Sequence, residues 1–311
     1  MKVLTSQVSG NKVNDLGETV QEQLHPTSEE YLYTTLENFI SSTVQTAYNS
    51  FTMLYLNGRS MRNKINDIEV ILARLNFPDI LVIAEAWIYS TEIKFYNIQN
   101  YIMYSACRDF NRGGGVVIYV REDRTSRLDS VIEKEHSILT IEIKSNAKQF
   151  KIIGVYNPNK GNTETFLFDL EKIMLDNSNS TAYMVGDFNI DVMKPEENES
   201  QLYDTFCKSS GLYRLNRKYP TRITETTKSL LDHVLVNNLK EKVVVNNVFA
   251  DLSDHNLLII HIQHKHTCET ARAIEHQNSQ AKLNYKTLNS YFANVRFQFT
   301  GKNIDDSYSE L

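Results

Sequence analysis

The alternation of apolar and polar positions changes period repeatedly along this chain, and each change marks a boundary between predicted elements. Apolar runs of strand length recur near 51–57, 80–85, 101–105, 115–120, 137–144, 149–156, 181–186, 230–237, 242–249 and 257–263. Elsewhere the spacing lengthens to that of an amphipathic helix. Met61, Ile65, Ile68, Ile71, Leu72 and Leu75 predict a helix over 61–75, and similar patterns predict helices over 163–176 and 199–210. A further helix is expected from about Ser28 to Tyr48, with Thr27 or Ser28 as its cap and Glu29 and Glu30 in its first turn. So many strands, several joined by short turns, exceed one parallel sheet. The expected fold is α/β: two mixed sheets face to face, flanked by helices.

The ends of these strands carry the chemistry. Thr181–Val185 is an apolar run that meets Gly186-Asp187-Phe188-Asn189, where the glycine is expected to turn the backbone so that Asp187 and Asn189 project from the strand's mouth. Period two would aim both side chains the same way. The strand near 80–85 ends at Glu85, the run Phe51–Leu56 ends at Asn57 before a helix, and Lys151–Tyr156 ends at Tyr156 before Asn157-Pro158. Asp232 lies inside the apolar run Leu230–Val236, where an unpaired charge would be costly. His255, in Ser253-Asp254-His255, is its candidate partner. Taken singly, each has a structural account: Asn57 as a helix cap, Glu85 as a loop-edge acid, Tyr156 as a half-buried aromatic, Asp232 as an ion-pair member. Together, acid, amide and imidazole at successive strand ends suit metal-assisted phosphodiester hydrolysis.

The order Asn57, Glu85, Tyr156, Asp187/Asn189, Asp232, Asp254/His255 resembles the endonuclease/exonuclease/phosphatase superfamily over about residues 51–264. Five segments narrow the likeness to the endonuclease domain of non-LTR (LINE-type) retrotransposons. They are Asn57-Gly58-Arg59-Ser60 with Lys64, Glu85-Ala86-Trp87, Arg112-Gly113-Gly114-Gly115, Gly186–Asp191, and Tyr219-Pro220-Thr221-Arg222 before Leu231-Asp232-His233. Ala86 and Tyr156-Asn157-Pro158-Asn159 depart from the usual wording.

The resemblance implies a four-layer α/β sandwich and a Mg²⁺-dependent endonuclease, with Mn²⁺ as an alternative ion. Glu85, Asn57 and Asp254 would hold the metal. Asp187 would deprotonate the attacking water, Asn189 and Tyr156 would bond the scissile phosphate, and His255, kept charged by Asp232, would stabilise the pentacovalent phosphorus. His233 should point to the opposite strand face. Other members of the superfamily are the rivals: an apurinic/apyrimidinic repair endonuclease, or an inositol or lipid phosphatase, although the latter place an arginine where His233 stands. An inactive remnant acting as a binding module is a third reading, and none of Glu85, Asp187 or His255 is missing.

Composition refines this picture. The chain has 311 residues, 41% of them apolar, enough for one large domain with appendages. Residues 1–50 form a polar extension outside the resemblance, and 265–311, with Leu283–Phe292 amphipathic, resemble the connector towards a reverse transcriptase. A polymerase's Tyr/Phe-x-Asp-Asp signature does not occur, so a reverse transcriptase domain or element RNA would be a separate partner. The start lacks a signal peptide's apolar stretch and no run approaches a membrane span, so a monomer inside the cell, in the nucleus where it meets DNA, is expected.

Three scattered cysteines, Cys107, Cys207 and Cys268, predict reduced structural thiols. The glycine run lacks the Lys-Ser/Thr of a phosphate loop and predicts a tight turn. His261, His264, His266 and Cys268 lack a second ligand pair and do not predict zinc.

The net charge of −5 is unhelpful for a DNA-binding protein, but it is unevenly spread. In residues 1–50 only Lys2 and Lys12 face six acids. Arg214, Arg217, Lys218, Arg222 and Lys228 cluster with Glu225 alone opposing, and with Arg59 they are the candidate contacts to double-stranded DNA. A merely solvated basic loop is the competing reading.

Overall fold

The computed structural model describes residues 33–42, 50–107, 113–145, 148–158 and 162–263. The expectations for the first thirty-two residues, for Arg112, Asn159, His264, His266 and Cys268, and for the segment from 265 onward lie outside them.

Two sheets carry the fold. The first holds β1 (Tyr33–Thr35), β2 (Ser50–Asn57), β3 (Ile80–Ala84), β4 (Tyr101–Ala106), β5 (Val116–Arg121), β14 (Lys242–Phe249) and β15 (Leu257–Gln263), in the spatial order β1-β14-β15-β2-β3-β5-β4. The second holds β6 (Thr125–Glu133), β7 (Ser137–Ser145), β8 (Lys148–Tyr156), β9 (Thr181–Asp187), β10 (Tyr213–Arg214) and β13 (Asp232–Val236), in the order β10-β13-β9-β8-β7-β6. A small pair, β11 (Arg222–Ile223) with β12 (Lys228–Ser229), stands apart.

Period-two patterning explains how they stack. On β2, Phe51, Met53 and Tyr55 enter the core between the sheets, together with Val82, Ile118, Ile141, Ile152, Val185 and Val234. Leu54 and Leu56 face the other way and meet Ile68, Ile71 and Leu72 of α2 (Ile65–Arg74), as well as Leu36 and Phe39 of α1 (Leu36–Ser42). Beyond the second sheet, α3 (Thr163–Asp176) and α4 (Asn198–Ser209) cover Ile153, Met184, Phe188 and Leu235. This is a four-layer α/β sandwich. At Gly154 the two sheets approach so closely that a Cβ would lie 2.8 Å from Val116 Cγ1.

Two consequences of the pairing place the site. β2 and β3 are parallel and joined through α2, and β8 and β9 are parallel and joined through α3. Each crossover delivers two strand carboxyl ends to one edge of its sheet, where open α/β sheets gather functional side chains.

Three expectations are corrected. The helix expected from Ser28 to Tyr48 is, among the described residues, strand at 33–35 and helix only at 36–42, because Tyr33, Thr34 and Thr35 pair in parallel with β14. Helix α2 begins at Ile65 and not at 61, since Asn63 holds a positive φ of 60° that a regular α-helix does not accommodate. Gly186 does not turn the chain: β9 runs through it to Asp187, and a Cβ there would lie 1.9 Å from the Val155 carbonyl oxygen, so glycine is required by close approach.

Candidate functional site

Register brings the predicted residues together. On the second sheet, Tyr156 pairs with Asp187, and Asp187 pairs on its other side with Asp232. Opposite, β2 ends at Asn57 beside Ala84, so Glu85 follows immediately. The Asn57 amide joins the sheets: its Nδ2 donates to Asp187 Oδ2 at 2.8 Å and to Glu85 Oε1 at 3.0 Å. Its Oδ1 accepts from the Arg59 N–H at 3.1 Å.

The backbone around this point is strained to hold these groups. Glu85, Trp87, Arg59, Ser60 and Asn189 all have left-handed φ between 39° and 95°, each costing on the order of 1–3 kcal/mol unless neighbours enforce it. Gly114 and Gly115, also left-handed, supply part of that enforcement. Their carbonyls accept from Trp87 N–H at 3.0 Å and Ala86 N–H at 3.3 Å, which pins the Glu85 loop. The glycine run is thus a support for the acid.

Asp187 is fully buried, and its Oδ1 accepts from the Asn189 N–H at 2.9 Å. Burial, then the neighbouring Asp232 charge, push its carboxyl well above the ordinary range, against the pull of His255. The Asn189 amide lies 3.3 Å from Asp187 Oδ2 and donates to the Asn157 carbonyl at 2.6 Å.

Asp232 is the hub of a second group. Its Oδ2 meets His255 Nδ1 at 2.7 Å, and its Oδ1 accepts from the Tyr55 hydroxyl at 2.5 Å. Burial would raise Asp232, but the His255 charge and hydrogen bond, with those of Tyr55 and Thr221, outweigh it and hold the carboxyl below its usual value. Burial likewise disfavours a charged His255, yet Asp232, Asp187 and Asp254 raise its pKa to about 9. Asn216 grips the β13 backbone from both sides, donating to Asp232 O and accepting from Val234 N–H at 2.8 Å each.

Asp254 is engaged differently. Oδ1 accepts from Arg59 Nη1 at 2.9 Å and Oδ2 from Arg222 Nε at 2.8 Å. Burial opposes ionisation there too, but the two guanidiniums prevail and its pKa is lowered.

Of the basic residues, Arg59 and Arg222 therefore reach the cluster. Arg214 sits instead on edge strand β10, its guanidinium 6.0 Å from the Tyr203 ring of α4, and its carbonyl accepts from Arg217 Nε. Lys218 lies 5.4 Å from the Tyr219 ring. His233 faces away from the site, as its position next to Asp232 on a strand requires.

Tyr55 and Thr221 are the functional neighbours that sequence reasoning gave no role. Thr221 Oγ1 accepts from the Leu231 and Asp232 N–H groups at 3.1 and 3.0 Å. A signal for Tyr55 existed: it stands two residues before Asn57, on the same buried face of β2.

The donor set fits a hard divalent cation. The half-exposed Glu85 carboxylate and the Asn57 amide are oxygen donors of the type such ions prefer. A second grouping, Asp187, Asp232 and His255, has ligand atoms within 4.8 Å of one another and could also hold a metal. Its internal hydrogen bond and the raised His255 pKa make it a proton-holding group first.

Comparisons with known proteins agree with this fold. The endonuclease domain of TRAS1, a telomere-specific non-LTR retrotransposon, superposes with a TM-score of 0.56 at 15% identity over 69% of this chain and 98% of its own. The AP endonuclease LMAP from Leishmania major gives 0.57 at 12% identity over 70% and 89%. The mannosyl-6-phosphatase Bt3783 from Bacteroides thetaiotaomicron gives 0.52 at 15% identity over 69% and 100%. At these identities the likeness is one of fold. No curated protein matches by sequence. The model of the Endonuclease/Exonuclease/phosphatase family matches residues 53–255, from the strand that ends at Asn57 to the histidine that pairs with Asp232, and the chain belongs to that family of nucleases and phosphatases.

Proposed function

We propose that the protein is a Mg²⁺-dependent endonuclease that nicks double-stranded DNA and leaves a 3′-hydroxyl, the kind of end a reverse transcriptase extends in target-primed retrotransposition. The observation that carries this reading is the Asn57 amide spanning Glu85 and Asp187 between the sheets, with the charged His255–Asp232 pair beside it. The guanidiniums of Arg59 and Arg222 at the same mouth favour a polyanionic substrate.

Attack of water on a phosphodiester builds negative charge on the phosphoryl oxygens and the leaving oxygen, so charge stabilisation has to supply most of the catalysis. Glu85 and Asn57 would hold the cation, whose chemistry is to stabilise charge on the leaving 3′ oxygen. Asp187, whose raised pKa suits a general base, would take the proton from the attacking water. Asn189, whose amide keeps its 2.6 Å bond to the Asn157 carbonyl, would turn its other N–H from Asp187 Oδ2 to the scissile phosphate, and Tyr156, beside Asp187 in register, would donate to a phosphoryl oxygen. His255 spends Nδ1 on Asp232, which leaves Nε2 as the charged donor to the transition state.

Incubation with supercoiled plasmid tests the proposal. Open circles with 3′-hydroxyl and 5′-phosphate ends are expected in Mg²⁺, and none in excess chelator. Undiminished nicking in chelator would sink it. Release of phosphate from a monoester, without nicking, would move the protein to the phosphatases of its family.

A further inference from the structure

The trio Arg59, Asp254 and Arg222 has a geometry that the general reading does not use. Asp254 is only partly exposed, and each of its oxygens accepts a charge-assisted hydrogen bond from a different guanidinium, at 2.9 and 2.8 Å. The backbone locks the arrangement. Ile223 N–H donates to the Asp254 carbonyl at 3.0 Å, Asn256 N–H donates to Thr221 O at 2.7 Å, and Arg222 bridges to His255 across the two segments. Ser253 Oγ, donating to Asn57 O at 2.9 Å, ties the same turn to the end of β2. A third cation lies close by: Lys64, whose Nζ donates to Gly58 O at 2.7 Å, is near enough to Arg59, Asp254 and Glu85 for each to act on its charge.

Ligation of a divalent ion by Asp254 would seat it on oxygens already engaged by two guanidiniums and would set that ion against the Arg59 and Arg222 charges, with Lys64 adding to the repulsion. The Glu85 carboxylate has no such commitment among the described residues: its partner there is the neutral Asn57 amide. A guanidinium carries five N–H donors in a fixed fork, so each arginine that spends one on Asp254 retains others, already oriented.

We propose that Asp254 is not a metal ligand but a positioning residue, which holds Arg59 and Arg222 as a paired-guanidinium receptor for a backbone phosphate of the bound DNA, while the metal is bound without it. The receptor half rests on the endonuclease reading; the metal half does not. With three cations around Asp254 and Glu85, the rim holds a positive charge in the absence of any ion, so capture of the phosphate precedes and does not need metal.

Three measurements on the full chain test this. Mn²⁺ binding to the DNA-free protein, followed by the loss of the free-ion paramagnetic resonance signal, should be weakened at least tenfold in Glu85→Gln and changed by less than about twofold in Asp254→Asn. Equal losses in the two variants would overturn the proposal. The Arg222 Nε–H proton should show a protected nuclear magnetic resonance signal that disappears in Asp254→Asn and persists in saturating Mg²⁺, whereas its disappearance on adding Mg²⁺ would mean that the ion takes the carboxylate. In chelator, with a short duplex, Arg59→Gln and Arg222→Gln should each flatten the salt dependence of binding by about one unit, the slope of one phosphate contact. Parental slopes in both would remove the receptor and leave the metal assignment standing. If the duplex does not bind the parent at all, the endonuclease reading fails and the first two measurements still decide the role of Asp254. Arg222→Lys, which keeps the charge and loses the fork, guards against misfolding: it should retain the slope yet lose the protected signal.

Discussion

His255 and His233 lie on opposite sides of one sheet, both buried, and the fold keeps the first charged and the second neutral. His255 enters the gap between the sheets and meets two carboxylates, so its pKa rises to about 9 despite burial. His233 points outward beneath α4. Burial there, followed by the Arg214 charge, drives its pKa down to about 3. Its Nε2 lies 3.1 Å from Leu230 O, Nδ1 lies 2.7 Å from the Tyr203 hydroxyl, and the ring stacks on Phe188 at 4.9 Å. Burial opposes the charge on both, so the carboxylate partners decide which imidazole stays protonated at neutrality.

Replacement of each histidine should separate chemistry from packing. His255→Ala should lower the nicking rate by about 10² to 10³, the usual cost of one transition-state donor, while retaining most DNA affinity. His233→Ala should instead lose stability, by about 2–4 kcal/mol for a buried ring and its two hydrogen bonds, and should cleave near the parental rate wherever it remains folded. Denaturant melts and single-turnover rates on the two variants check this, and a His255→Ala rate within twofold of the parent would erase the distinction.

Titration sharpens the same contrast. His255 should remain protonated through neutrality, and nicking should fall as pH rises through about 9, while the acid limb follows Asp187 at a pH above the ordinary carboxylate range. For stability the signs differ. The raised His255 pKa contributes stability that is fully present below about 6.5, the unfolded value, and is lost as pH climbs through about 9. His233, depressed to about 3, contributes stability present above that unfolded value and lost as pH falls towards 3. Imidazole proton shifts followed from pH 4 to 10 should show one histidine titrating late and one not at all.

Much of this arrangement was legible in the sequence because the chemistry sits where strand patterns stop. Asn57, Tyr156 and Asp187 each close an apolar run, Glu85 follows one, and the alternation within β13 separates Asp232 from His233 without any structure. The helices over α3 and α4 were legible for the same reason. Strand β6 was not: as an edge strand it exposes most of Thr125–Glu133 and carries a bulge between Leu128 and Ser130, so no period survives. The Arg222–Asp254 contact was hidden because it depends on how β11 folds back against residues 254–256, a long-range pairing that no local pattern encodes. Tyr55 was hidden by its neighbours, since a tyrosine among Met53, Leu54 and Leu56 reads as core.

Tyr55 offers the smallest and most selective perturbation. Its hydroxyl crosses from the first sheet to Asp232 in the second, so it supports the carboxylate that charges His255. Tyr55→Phe keeps the ring in the core and removes one hydrogen bond to a buried anion, a loss of about 1–3 kcal/mol. Asp232 should then hold its charge less firmly, and the His255 pKa reports whether the pair survives. Two opposing consequences are distinguishable: with the anion still paired to His255, the imidazole takes on more of the Asp232 charge and its pKa stays high, whereas with Asp232 displaced from its position the His255 pKa falls towards neutrality. The geometry favours the first, because Asn216 and Thr221 still grip the β13 backbone at Asp232. Tyr55→Phe should therefore melt earlier yet keep its alkaline limb near 9. A limb displaced by a full pH unit would make Tyr55 a working part of the charged pair, and one that stays in place while stability falls would confine it to the structure between the sheets.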